Sequence, residues 1–119
     1  MNIQANRSKL VQTFKQIRKE KILARANFWC CQSCASWAMH QQCEDAPEKK
    51  KPIGYVFWHN QDEARIREDG CVYLAFGGLE RNDSIEVGKK VVQILVQNGF
   101  SVDWNESDSN RIKVDLRTV

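Results

Sequence analysis

Three of the five cysteines in this 119-residue chain lie within five residues, at Cys30, Cys31 and Cys34. Cys31 and Cys34 form a CxxC pair, a spacing that occurs in zinc sites and in thiol–disulfide oxidoreductases. Ser33, between them, is a residue type that caps a helix. Because an unreactive cysteine is also a small residue suited to burial, simple packing at the entry to a helix is a fourth interpretation beside zinc binding, redox exchange and nucleophilic catalysis.

A zinc site would require four Cys or His ligands arranged in a tetrahedron. Cys31, Cys34 and His59 could supply three of them, since His59 follows a run typical of a buried strand. The sequence contains no second CxxC and no HxxxH. The fourth ligand would therefore come from a single residue elsewhere: Cys30, His40, Cys43 or Cys71.

The redox and catalytic hypotheses each need structural features that the sequence shows only in part. A thioredoxin-like site needs a buried strand before its cysteines, whereas the run 19–27 is predicted to be helix or loop. A cysteine hydrolase would use His59 as the base and Asp62 to orient it. A histidine at a strand end also commonly hydrogen-bonds the backbone. We therefore expect no assembled catalytic set and no enzymatic turnover.

Charge is distributed unevenly along the chain. Residues 1–27 carry seven Lys and Arg against one Glu, a net charge of +6, and the remainder carries −3. The predicted first helix, about 6–21, has an apolar stripe of Leu10, Phe14 and Ile17. Exposed cations on its other side could face nucleic acid, an acidic protein or only solvent. The predicted partner-binding residues are Arg7, Lys15, Arg18 and Lys19.

Periodicity and turn residues predict one α/β (α+β) domain spanning 1–119. The expected helices are 6–21, 33–42, 60–68 and one that begins at Asp83 and ends before Gly99. The expected strands are 53–58, 71–76, 100–104 and 111–116, the last two forming a hairpin. The element order is then α-α-β-α-β-α-β-β, which indicates a mixed four-stranded sheet with helices packed on it.

Three features of the sequence bear on the cellular compartment of the protein. No apolar run approaches the roughly 18 residues of a membrane span. The N-terminus is polar and lacks the apolar core of a signal peptide. Five cysteines is an odd number, which argues against a complete disulfide framework. We expect a cytoplasmic protein without a membrane partner.

Four segments, in order, resemble an uncharacterised bacterial family, a domain of unknown function. They are Ala24 to Cys34 with its CCxxC knuckle, Gly54 to Asp62, Val72 to Phe76, and Gly99 to Trp104 followed by Arg111-Ile112. The resemblance covers about residues 24–116. It implies a functional cluster of motif residues but no mechanism, because the family has no established activity. That cluster is Cys30, Cys31, Cys34, His59, Gln61 and Asp62.

The function expected from these observations is binding without catalysis. A small domain with asymmetric charge and no assembled catalytic set is typical of an inhibitor or immunity-type protein, which acts by occluding another protein. One alternative is a zinc-binding adaptor that holds nucleic acid on the basic helix. Another is a cysteine-dependent hydrolase.

Overall fold

The computed structural model describes residues 3–29, 32–47, 51–79, 84–107 and 110–117. Four helices and five strands follow one another in these ranges. They are α1 (Ile3–Arg18), β1 (Ile22–Arg25), α2 (Gln32–Asp45), β2 (Gly54–Phe57), α3 (Asn60–Asp69), β3 (Cys71–Gly78), α4 (Ser84–Gln97), β4 (Ser101–Asp103) and β5 (Ile112–Asp115). Asp83, the predicted first residue of the fourth helix, lies outside the described ranges.

The strands form one mixed sheet in the order β1-β2-β3-β5-β4. Strands β1 and β2 are parallel, with Ala24 opposite Val56. The remaining pairs are antiparallel: β2 with β3, β3 with β5, and β5 with β4. The mixed α/β class predicted from the sequence is therefore confirmed.

The prediction of four strands is wrong, because Ile22–Arg25 forms the additional strand β1. The first helix ends at Arg18 and not at residue 21. A turn follows in which the N–H of Lys21 donates to the carbonyl of Arg18 (3.2 Å) and Lys21 adopts a φ of 62°. A four-residue segment with one basic residue gives a weak strand pattern, so tertiary pairing with β2 determines its conformation.

Helices α1 and α4 pack on one face of the sheet. The predicted stripe of Leu10, Phe14 and Ile17 is confirmed, since all three side chains are fully buried. Phe14 meets Trp58 edge-on, with the ring centroids 5.2 Å apart. This cluster contains most of the buried apolar side chains that the structure describes, and it fixes α1 against the sheet.

Helix α2 packs on the opposite face of the sheet. Tyr55 and Phe57 point toward it, because neighbouring strand residues alternate between faces and Val56 lies in the other cluster. The helix contributes Ala35 and Met39 to this second, smaller cluster. The two helical layers therefore enclose β1 and β2 from both sides.

One side of α2 is mostly exposed. Of Cys34, Trp37, Ala38 and Gln41, only Ala38 is buried, and Trp37 is 62% exposed. The helix instead buries the stripe that includes Cys43, where small side chains let its backbone approach the sheet. Apolar residues occur on both sides of α2, so their spacing did not identify the buried side.

The C-terminal hairpin and its entry agree with the sequence. The N–H of Phe100 donates to the carbonyl of Leu95 (3.1 Å), and Gly99 has a φ of 90°, which is a Schellman ending of α4. Strands β4 and β5 follow as the predicted hairpin. Within the described ranges, no helix is both long and apolar enough to span a bilayer.

The close approach of β3 and α4 to Gly54 predicts the effect of adding a methyl group at this residue. A Cβ there would lie 2.4 Å from the carbonyl oxygen of Gly77 and 2.7 Å from Val87 Cγ2. We expect Gly54→Ala to lower the free energy of unfolding by about 1–3 kcal/mol, measured by urea denaturation. The exposed substitution Val96→Ala should change it by less than about 0.5 kcal/mol. Equal stability of the two variants would contradict this packing.

Candidate functional site

His59 and Asp62 lie together where β2 leads into α3. His59 is the N-cap of α3, and a reciprocal capping box joins the two residues. The N–H of Asp62 donates to His59 Nδ1 (3.4 Å), and the N–H of His59 donates to Asp62 Oδ2 (3.3 Å). In the sequence, Asn60 with Glu63 three residues later has the pattern of a capping box and predicts the cap one residue later than the structure places it. The structural role of this histidine is thus to begin a helix.

Arg111 completes this corner from the start of β5. Its Nη1 donates to Asp62 Oδ1 (3.1 Å), and its Nη2 donates to Asp62 Oδ2 and to the carbonyl of Tyr73. The guanidinium also lies over the Tyr73 ring, 6.0 Å from its centroid. The ion pair joins α3 to β3 and β5. The sequence did not reveal Arg111 as a partner, because 49 residues separate it from Asp62.

The imidazole of His59 is held neutral by its surroundings. Burial lowers the pKa of His59, and the positive charge of Arg111 acts in the same direction, while Asp62 partly offsets both. Since Nδ1 accepts a hydrogen bond, the proton of the neutral ring belongs on Nε2, which lies 3.2 Å from Asp62 Oδ2. Both ring nitrogens therefore face groups of Asp62.

The chain that enters the cysteine run passes directly beside this corner. The N–H of Phe28 donates to the carbonyl of Trp58 (2.8 Å), and the N–H of Asn60 donates to the carbonyl of Trp29 (2.9 Å). Cys30 and Cys31 lie outside the described residues. Cys34 is exposed in the first turn of α2, and Gln61 is exposed on α3. Within the described part of the predicted cluster, His59 and Asp62 are in direct contact.

The zinc hypothesis for Cys31, Cys34 and His59 stays a prediction. Within the described ranges, no three His, Cys, Asp or Glu side chains are arranged to hold a metal ion. His59 does not fit the role of a ligand as placed, because a metal on either nitrogen would displace an Asp62 contact. A zinc ion that used His59 as a ligand would therefore compete with the cap of α3.

Cys43 lies on α2, and its thiol is buried between that helix and the sheet. Burial raises the pKa of Cys43 to about 11, so it is protonated at neutral pH. Beside it, His40, Glu44, Lys51 and Leu79 line a cavity of about 360 Å³. A protonated thiol is a weak nucleophile, and the cysteine-hydrolase hypothesis therefore gains no support from this cavity.

The predicted exposure of the basic helix is confirmed for Lys15, Arg18 and Lys19. It is wrong for Arg7, which is half-buried and forms an ion pair with Glu63. The Nε of Arg7 lies 2.8 and 2.9 Å from the two carboxylate oxygens. Its position in α1 beside α3, which the sequence could not show, gives Arg7 a structural role.

A second cationic cluster lies at the open edge of β1. The Arg18 Nε and the Arg25 Nη1 both donate to the carbonyl oxygen of Ala24, at 3.0 and 3.2 Å. Together with Lys21 they border a cavity of about 300 Å³, the β1 basic groove. Its lining residues are Arg18, Lys21, Ile22, Leu23, Arg25, Gln42, Ala46 and Pro52. The sequence identified Arg18 as basic surface but missed Lys21 and Arg25.

The positive charges of the β1 basic groove repel one another. Burial lowers the pKa of Arg25, and the neighbouring charge of Arg18 lowers it further. In the part of the chain that the structure describes, no carboxylate pairs with Arg18, Lys21 or Arg25. Two guanidinium groups therefore share one acceptor without a neutralising anion among those residues.

The lowered pKa of His59 predicts a pH dependence of stability. The unfolded state binds more protons than the native state once the pH falls below about 6.5, the ordinary histidine pKa. The free energy of unfolding should therefore be highest above that pH, and it should decrease as the pH falls through the lowered pKa of His59 in the native state. We expect His59→Asn, which keeps a capping acceptor, to reduce this loss between pH 7.5 and pH 5, measured by urea denaturation. An identical pH dependence of the two proteins would contradict the neutral imidazole.

Comparison with known proteins gives the chain a family. It is 36% identical over 78 residues to the Uncharacterized protein 391R of Invertebrate iridescent virus 6, a match that covers 59% of this chain and 26% of the viral protein. The similarity thus reaches a virus, beyond the bacterial proteins expected from the sequence. No solved structure matches the chain. The family model described as Domain of unknown function (DUF6891) matches residues 4–118, and the chain therefore belongs to the DUF6891 family.

Proposed function

We propose that this protein is a non-enzymatic binding module that holds an acidic segment of another protein. The binding surface consists of the β1 basic groove and the adjoining end of α1. One observation carries the proposal: cations surround the open edge of β1, and none of them is paired with a carboxylate among the described residues. Binding there would occlude the partner, as an inhibitor or immunity-type protein does.

The arrangement of the charges supports an extended partner. Lys15 lies in the last turn of α1 and Lys19 directly after that helix, and Arg18 and Lys21 border the groove. The cations thus follow the direction of α1 and the edge of the sheet. Such a field attracts an acidic segment and accelerates its association.

Nucleic acid is the competing partner for the same surface. Nucleic acid would present phosphates to many residues of the protein, and a single strand would commonly stack its bases on exposed aromatic rings. Among the residues that line the β1 basic groove, none is aromatic. This observation favours a protein segment over nucleic acid.

Reversal of charge at the end of α1 tests the proposal. The probes are a fluorescein-labelled peptide of alternating Glu and Ser, and DNA oligonucleotides of equal net charge. We expect the peptide to bind with an affinity that falls as salt rises, and to bind at least about tenfold more weakly to Lys15→Glu/Lys19→Glu, measured by fluorescence anisotropy. Both residues are exposed, so folding should be unaffected.

The matched control is Arg65→Glu/Lys90→Glu, which makes the same change of net charge at exposed positions of α3 and α4. It should retain most of the affinity for the peptide. Tighter binding of DNA than of peptide would contradict the proposal in favour of the nucleic-acid adaptor. Equal losses in the two double variants, or no binding of either probe, would also overturn it.

A further inference from the structure

We infer that Arg18, Lys21 and Arg25 form an anchor site for a phosphorylated side chain of the partner segment. This inference rests on the proposed function for its partner but assigns a separate ligand chemistry to the β1 basic groove. The site is centred on one backbone oxygen, the carbonyl of Ala24.

The carbonyl of Ala24 faces away from the sheet. In the ladder with β2, the carbonyls of Lys21 and Arg25 accept hydrogen bonds from the N–H groups of Ile53 (2.7 Å) and Trp58 (3.4 Å). Alternate carbonyls of a strand point to opposite edges, so the carbonyl of Ala24 points to the open edge. There it accepts from both arginines.

This shared acceptor orients the two guanidinium groups. Arg18 uses only Nε and Arg25 only Nη1 in these bonds, and a guanidinium has five N–H donors. Each arginine thus keeps donors for a ligand while its position is already fixed. A site ordered before binding loses less conformational entropy when the ligand arrives.

The same geometry excludes strand addition as the mode of binding at this point. A peptide that extended the sheet would donate its own N–H to the Ala24 carbonyl, which the two arginines already occupy. Charged side chains placed on an edge strand generally prevent such pairing. The groove is therefore better suited to a compact anion than to an added strand.

The number of charges favours phosphate over carboxylate. Three cations border the groove, whereas a carboxylate carries one negative charge. A phosphorylated side chain carries about −1.5 to −2 at neutral pH and presents three acceptor oxygens, which match several arginine donors. The apolar lining at Leu23 and Pro52 can contact the carbon atoms that bear the phosphate.

Isothermal titration calorimetry with three probes tests this site in the full-length protein. The probes are the acidic peptide with one phosphoserine, the same peptide with Glu at that position, and inorganic phosphate. We expect the phosphopeptide to bind at least about tenfold more tightly than the Glu peptide, because more charge-assisted hydrogen bonds form. Arg25→Lys keeps the charge but loses the planar fork, and should remove most of that difference. The exposed substitution Lys90→Gln should preserve it.

The outcomes separate this inference from the proposed function. Equal binding of the phosphopeptide and the Glu peptide overturns the phosphate site and leaves the acidic-segment proposal intact. If inorganic phosphate binds as tightly as the phosphopeptide, the claim that the phosphate is carried by a partner protein is overturned. A phosphopeptide preference that Arg25→Lys retains overturns the assignment of residues. Thermal melting of each variant, followed by circular dichroism, verifies that a lost preference does not reflect unfolding.

Discussion

The parallel pairing of β1 with β2 determines most of this architecture. Parallel neighbours need a crossover between them, and α2 lies on that crossover. Because α2 covers one face while α1 and α4 cover the other, β2 is buried from both sides. Among the described residues no strand pairs with the outer edge of β1, and the two arginines of the groove donate to the Ala24 carbonyl there. The return of the chain from β1 also brings Trp29 beside the start of α3.

The corner at Asp62 shows how a charge can be kept beneath the surface. Only 11% of the Asp62 side chain is exposed, so its carboxylate requires compensation. It receives a backbone N–H from His59, the ring of the same residue, and the guanidinium of Arg111. An imidazolium at His59 would lie close to Arg111, and this repulsion adds to the effect of burial. The neutral histidine thus serves as the cap of α3, which gives a structural reason for its place in the motif.

The sequence predicted the parts of the fold that depend on local periodicity. The stripe of α1, the buried strand β2 and the Schellman ending at Gly99 follow from the spacing of residues, which a single segment contains. Strand β1 could not be predicted in this way, because a four-residue strand is stabilised by its neighbour β2. The buried side of α2 was missed for a similar reason, since several small residues leave the spacing ambiguous. The contacts of Arg111 and Arg7 depend on elements far apart in the chain. Thus His59 and Asp62 were identified, whereas the partners that define their roles were not.

Two explanations compete for the arginines on the Ala24 carbonyl. They could protect an exposed edge from pairing with other chains, as charged residues on edge strands do. One long cation would suffice for that purpose, and Arg18 already donates to the carbonyl. Burial already lowers the pKa of Arg25, and a second guanidinium on the same oxygen adds repulsion between like charges that lowers it further. Edge protection does not account for that cost, whereas an anion that bridges the two groups would offset it. The protein without its ligand would then hold the two charges together at an energetic cost that binding relieves. The shared acceptor holds the two guanidinium groups close together, and their closeness causes the repulsion. An anion-binding role explains both the shared acceptor and the repulsion.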